Sequence, residues 1–147
     1  MNIFSLLVKT FILLVLIGGC ATAKEPDNSS FNEFWGQFRQ VLLDKDFKKI
    51  QSLSANPITL RGVVDGIKPQ KLPSQDIEKT LPKILEGRTS YMEAGKIIDL
   101  TNYDFVKRTS EPKLDVNSPN WQRVDNFVFI KDKTGWKLKE IFWEEME

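Results

Sequence analysis

The segment from Trp121 to Glu144 constrains the fold more than any other stretch of the chain. Trp121 to Lys131 and Trp136 to Glu144 are dense in aromatic and branched residues, which suit a half-buried pleated surface. Between them, Asp132-Lys133-Thr134-Gly135 has the composition of a tight chain reversal. The pattern predicts two long antiparallel strands. In the first, Arg123, Asp125, Phe127 and Phe129 fall on one face, and Val124, Asn126, Val128 and Ile130 on the other. In the second, Leu138 and Phe142 oppose Ile141 and Trp143. Apolar groups on both faces imply either cover on both sides or a patch exposed to a partner.

Upstream, the periodicity changes. Ser30 and Glu33 form a capping-box pair. Phe31, Phe34, Trp35, Phe38, Val41 and Leu42 then recur at mostly three- and four-residue spacings, which predicts a helix with one broad apolar stripe. A second, short helix is expected from Asp44 or Asp46, with Phe47, Ile50 and Leu53 inward and Asn56-Pro57 as its stop. Pro57 to Asp65 alternates like a strand, with Ile58, Leu60, Gly62 and Val64 on one face and Thr59, Arg61, Val63 and Asp65 on the other. Gly66 to Pro73 reads as a loop. Ser74 opens a third helix through Ile77, Leu81, Ile84 and Leu85, with Pro82 expected to kink or divide it and Gly87 to cap it. Tyr91 to Asp99 reads as a strand or strand pair, Tyr103 to Lys107 as another strand, and Glu111 to Asn120 as a polar connection. Helices followed by an antiparallel sheet make an α+β domain.

The N-terminus is different in kind. Lys9 is the only charged residue among the first nineteen, and the apolar run Phe11 to Ile17 leads to Gly18, Gly19 and Cys20. That order is an export signal. The run is shorter than the roughly 20 apolar residues a membrane-spanning helix needs. Ile17-Gly18-Gly19-Cys20 resembles a lipobox, the signal of bacterial lipoproteins. The resemblance implies cleavage before Cys20 and a diacylglyceryl thioether on its sulfur. Cys20 is the sole cysteine, so no disulfide partner competes for it. Ala21 in place of the acidic residue that often retains lipoproteins at the inner membrane implies an outer-membrane, periplasm-facing location in a two-membrane cell. Residues 20–29 read as a lipidated tether, and about eight extended residues reach roughly 25–30 Å. Residues 30–147 are then expected to form a single domain.

Removing residues 1–19 takes Lys9 and no acid from the 21 basic and 20 acidic side chains, so the remainder is balanced. A balanced domain has no global field to attract nucleic acid. The chain has no histidine, which removes the usual neutral-pH base and a common zinc ligand. With Cys20 acylated and no glycine-rich phosphate loop present, neither a nucleophile pairing nor a cofactor or metal site is expected.

Three stretches together resemble the NTF2-like, or cystatin-like cone, superfamily. They are Phe31 to Phe38 with Asp46, then Asn56-Pro57-Ile58-Thr59-Leu60-Arg61-Gly62, then Phe127-Val128-Phe129 leading to Gly135-Trp136-Lys137-Leu138. The resemblance implies N-terminal helices packed on a curved antiparallel sheet, with a cavity between them. Arg61 and Asp65 are candidate groups at its mouth, with solvated surface ion pairs as the alternative. Tyr91, Tyr103 and Trp121 are candidate lining groups, with plain core packing as the alternative. Arg123 is a candidate partner contact. The first expectation is a non-catalytic envelope lipoprotein binding a protein partner or envelope component, including the inhibitor or immunity type. The second is a small-ligand carrier or sensor using the cavity, and the third is a cone-fold enzyme with carboxylate or tyrosine chemistry.

Overall fold

The computed structural model describes residues 30–115 and 117–144. The lipobox, Cys20 and the tether lie outside them. The described chain is α+β, with helices, a five-stranded sheet and a separate two-stranded hairpin.

Helix α1 (Phe31–Leu43) begins as its sequence dictates. Ser30 accepts from the Glu33 N–H, and the Glu33 carboxylate accepts from the Ser30 N–H. Its stripe Phe31, Phe34, Trp35, Phe38, Val41 and Leu42 is buried throughout. Helix α2 (Phe47–Ser52) is capped by Asp46, whose carboxylate accepts from the Lys49 N–H. It ends before Asn56-Pro57, and strand β1 (Ser54–Gly62) runs through that dipeptide. Within the expected Gly66 to Pro73 loop lies a three-residue strand, β2 (Gln70–Leu72), which pairs antiparallel with β1.

A 3-10 turn at Ser74–Asp76 precedes α3 (Ile77–Glu86), which continues unbroken past Pro82. Gly87 ends it with φ −59°, so a left-handed conformation is not what requires glycine there. A Cβ at Gly87 would lie 3.0 Å from the Ile84 carbonyl oxygen and 3.3 Å from Asn102 Nδ2, so close approach is the reason. Strands β3 (Arg88–Glu93) and β4 (Lys96–Thr101) form the separate hairpin, turning at Ala94 and Gly95, both with positive φ. Tyr103 to Lys107, expected to be a strand, is helical: α4 spans Asn102–Arg108. Thr101 caps it by accepting from the Asp104 N–H, and α1 closes its other end. Arg39 donates from Nε to the Val106 carbonyl and from Nη2 to the Lys107 carbonyl. A cation beside the carbonyls of a helix C-terminus is favoured by the helix dipole.

The expected strand from Trp121 to Lys131 is two strands, β5 (Trp121–Val124) and β6 (Phe127–Asp132), reversed at Asp125-Asn126. Asp125 takes φ 52° there. The reversal moves Arg123 off the face of Phe127 and Phe129, because Arg123 pairs with Val128 and Val124 with Phe127. Strand β7 (Gly135–Trp143) pairs antiparallel with β6 and parallel with β1, giving the order β2-β1-β7-β6-β5. The sheet is therefore mixed, not antiparallel. Its first and last strands in the chain run in the same direction because α3, the β3–β4 hairpin and α4 intervene between β2 and β5.

Leu60, Ile141, Phe127 and Val124 stand in register across one face and belong to the buried core. Phe129 is the hub on that side. Its ring meets Phe31, Phe34, Trp35 and Phe38 of α1 with centroids 5.1–5.9 Å apart. Edge-to-face pairs of this kind add about 0.5–1.5 kcal/mol each beyond area burial. Replacing Phe129 by Ala removes all four ring contacts and opens a cavity, with an expected loss of about 3–5 kcal/mol. Chemical denaturation of wild type and Phe129→Ala measures it, and a loss under 1 kcal/mol contradicts this account of the core.

Candidate functional site

Cross-strand partners share a face, so the register defines what the opposite side of the sheet carries. One row across the middle reads Lys71, Thr59, Glu140, Val128 and Arg123, contributed in order by β2, β1, β7, β6 and β5. Beside it Arg61 pairs with Phe142, and on the other flank Trp121, Ile130 and Lys137 stand in line. This outer face combines cations with an aromatic and aliphatic centre.

Its polar groups are held in place. Arg61 grips Glu140 with two hydrogen bonds, Nε to Oε2 at 2.8 Å and Nη2 to Oε1 at 3.1 Å. The Lys71 ammonium donates to the Thr59 hydroxyl at 2.9 Å, and Lys137 donates to the Ser52 carbonyl at 2.8 Å. The Arg123 guanidinium lies 4.2 Å from the Phe142 ring centroid and donates from Nε to the Asp125 carbonyl at 2.7 Å. Thr59 and Val128 are buried beneath these long side chains, while Trp121 stays 42% exposed.

Of the candidate residues, the register thus brings Arg61, Trp121 and Arg123 to one face. Asp65 is not with them. It lies in the turn after β1 ends at Gly62, so the expected alternation of Arg61 and Asp65 on one strand face does not occur. Arg61 turns instead to Glu140, 79 positions away on the adjacent strand β7. Tyr91 sits on the β3–β4 hairpin, where its ring meets Phe105 edge-on at 5.7 Å and Arg108 lies 6.0 Å from its centroid. Tyr103 belongs to α4, with Lys45 Nζ 5.9 Å from its ring. An open cleft of about 550 Å³ lies between β4 and α4, lined by Ile98, Asp99, Leu100, Asp104, Lys107 and Arg108, and includes none of the candidate residues. Missed from sequence were Glu140, Lys71 and Phe142, which the pairings of β1 with β2 and β7, and of β6 with β5 and β7, place beside Arg61 and Arg123.

A buried polar cluster braces the rim of this face. Asn102 donates from Nδ2 to the Ile84 carbonyl at 2.7 Å and accepts from Asn126 Nδ2 at 3.0 Å. The Asn126 carbonyl in turn accepts from the Phe142 N–H at 2.8 Å. Beside it, Asp125 Oδ2 is buried with no hydrogen-bond partner. Burial pushes the Asp125 carboxyl above the usual carboxylate range, against smaller opposing effects of the Thr89 hydroxyl, the Asn126 N–H and Arg123. Glu140 is shifted the other way, because its hydrogen bonds from Arg61 favour the ionised form.

No family model, no curated protein and no solved structure matches the chain.

The two carboxylates give opposite pH dependences. Glu140, with its folded pKa depressed, stabilises the fold above its unfolded pKa, and this is lost as pH falls through the folded value. Asp125, with its folded pKa raised, contributes fully below its unfolded pKa and loses that contribution as pH rises through the folded value. Glu140→Gln is expected to cost about 0.5–1 kcal/mol at neutral pH, the pair being partly screened by solvent, and to approach wild type in acid. Asp125→Asn is expected to be more stable than wild type at neutral pH and to lose that advantage in acid. Denaturation curves across pH measure both, and parallel pH profiles for all three proteins contradict the assignment.

Proposed function

We propose that this chain is a non-catalytic, membrane-anchored envelope lipoprotein that binds a protein partner through the outer face of its five-stranded sheet. The outer face carries the reading. It sets an exposed tryptophan, half-buried Ile130 and Phe142, and oriented arginines on one side of the sheet, and aromatic residues with arginine are the groups enriched where proteins bind one another. Ring packing of α1 against Phe127 and Phe129 covers the core face of the sheet, which leaves the outer face as the side a partner can reach. Two N-terminal helices, a strand pair, helices on either side of a separate hairpin, and a C-terminal three-stranded meander on the main sheet support a cone-like domain of the NTF2-like kind.

The anchor belongs to the same proposal and rests on Ile17-Gly18-Gly19-Cys20. Two or three acyl chains hold a protein on a membrane where a single chain is marginal. The expected place is the outer membrane, with the domain facing the periplasm. Among the described residues no helix is long and apolar enough to cross a membrane.

Two measurements test the halves of the proposal separately. Cys20→Ser is expected to abolish fatty-acid labelling and release the protein from the membrane fraction; retention of both overturns the anchor. A photoreactive phenylalanine analogue at position 121 in intact cells is expected to give a discrete protein adduct, with position 97 on the β3–β4 hairpin as the comparison. A weaker adduct at 121 than at 97 points away from the outer face.

A further inference from the structure

The outer face is not neutral, although the chain as a whole carries a formal charge of +1. Its register gathers Lys71, Arg61, Arg123 and Lys137 around Glu140, with Asp132 near Lys137 at the end of β6. Arg61 takes that carboxylate with both hydrogen bonds. The other three cations are positioned by neutral oxygens: the Thr59 hydroxyl, the Asp125 carbonyl and the Ser52 carbonyl. Those bonds fix direction, and the four cations outnumber the nearby carboxylates Glu140 and Asp132.

Each feature favours a defined anionic counterpart. Side chains already held in one geometry lose less rotamer entropy when a partner arrives. Arg123 spends Nε on the Asp125 carbonyl and lies over the Phe142 ring, so its two Nη groups form the edge available to a carboxylate. Trp121 and Ile130 lie on the same face beside it, supplying apolar contact that a purely electrostatic surface lacks. Membrane-surface binding is instead the province of clustered flexible lysines beside the bilayer, whereas here the cations are spread singly over four of the five strands.

Resting on the partner reading above, we propose that the partner of the outer face presents an acidic protein surface, with carboxylates seated at Lys71, Arg123 and Lys137 around an apolar contact at Trp121 and Ile130. The face is a receptor for carboxylates arranged at strand spacing. Its selectivity comes from the charge pattern and its affinity from the apolar centre.

The test uses the full-length chain in intact cells, carrying the photoreactive phenylalanine analogue at position 121. Charge reversal by Lys71→Glu together with Arg123→Glu is expected to lower the protein adduct at least about tenfold, as loss of close interfacial charge pairs does. Arg123→Lys, which keeps the charge and loses the planar donor edge, is expected to give a yield between the parent and the double reversal, and the crosslinked peptides of the partner are expected to be rich in Asp and Glu. Lys71→Glu alone, on the edge strand β2, reports the effect if the double variant melts early by circular dichroism. An adduct of undiminished yield in Lys71→Glu and in a folded double variant overturns the acidic partner while leaving the partner reading intact. Adducts that map to lipid overturn it in favour of a membrane surface. Absence of any adduct from the parent chain overturns the partner reading and this inference with it.

Discussion

Strand β7 is hydrogen-bonded on both sides, parallel to β1 and antiparallel to β6, and most of the molecule is positioned by that fact. The β1 contact joins residues about eighty positions apart, as in Arg61 opposite Phe142. It inserts the N-terminal strand beside the C-terminal hairpin and brings Ile58 and Leu60 into the core with Leu138 and Ile141. It also sets Arg61 within reach of Glu140 on the other face. Losing this one pairing would dissolve the core face and the outer face together.

The two faces meet their burial requirements by different means. The core side is closed by the rings of α1 around Phe129. The outer side has polar residues in register, yet Thr59 and Val128 are nearly as buried as core residues. Long side chains accomplish this by laying their aliphatic stems across the sheet while their charged ends reach polar partners. Arg61 and Arg123 therefore cover the strands at the same time as they display charge. Asp125 is the exception in this arrangement, a carboxylate drawn into a bracing cluster with one oxygen left unpartnered. Its left-handed backbone at φ 52° is what turns β5 into β6, so the strained residue and the desolvated carboxyl are the same residue.

Legibility in the sequence followed how local each cause was. The capping box at Ser30 and Glu33, the apolar stripe of α1 and the Asp132 to Gly135 reversal are decided within a few residues, and each occurs as read. The β5–β6 reversal was hidden because aromatic and branched residues flank Asp125-Asn126 closely on both sides and read as one strand, although that dipeptide suits a two-residue turn with positive φ. Helix α4 carried a readable start in Thr101 and Asp104, outweighed by the strand-like Tyr103, Phe105 and Val106. Strand β2 is three residues long and has no periodicity to detect. The site was legible only as separate residues. Arg61, Trp121 and Arg123 were visible as arginines and an aromatic near strands, but their grouping depends on a parallel register between segments that share no local signal.

The same topology gives the domain a direction. Phe31, at the start of α1, rests its ring 4.8 Å from that of Trp136, at the start of β7. The chain therefore enters the described fold at the β6–β7 turn. At the other end of β7, Trp143 lies beside Gly87, where α3 gives way to the β3–β4 hairpin. The nine residues of β7 separate the two ends by about 30 Å at the usual strand rise. Under the anchored reading, attachment before Ser30 falls at the β6–β7 end, and the β3–β4 hairpin, with its exposed Met92 and Ile97 paired across it, begins at the opposite end of β7. The outer face runs along the side between these ends. A partner binding there engages a surface roughly parallel to the axis of attachment, so it need not displace the tether to reach Arg123 and Lys71.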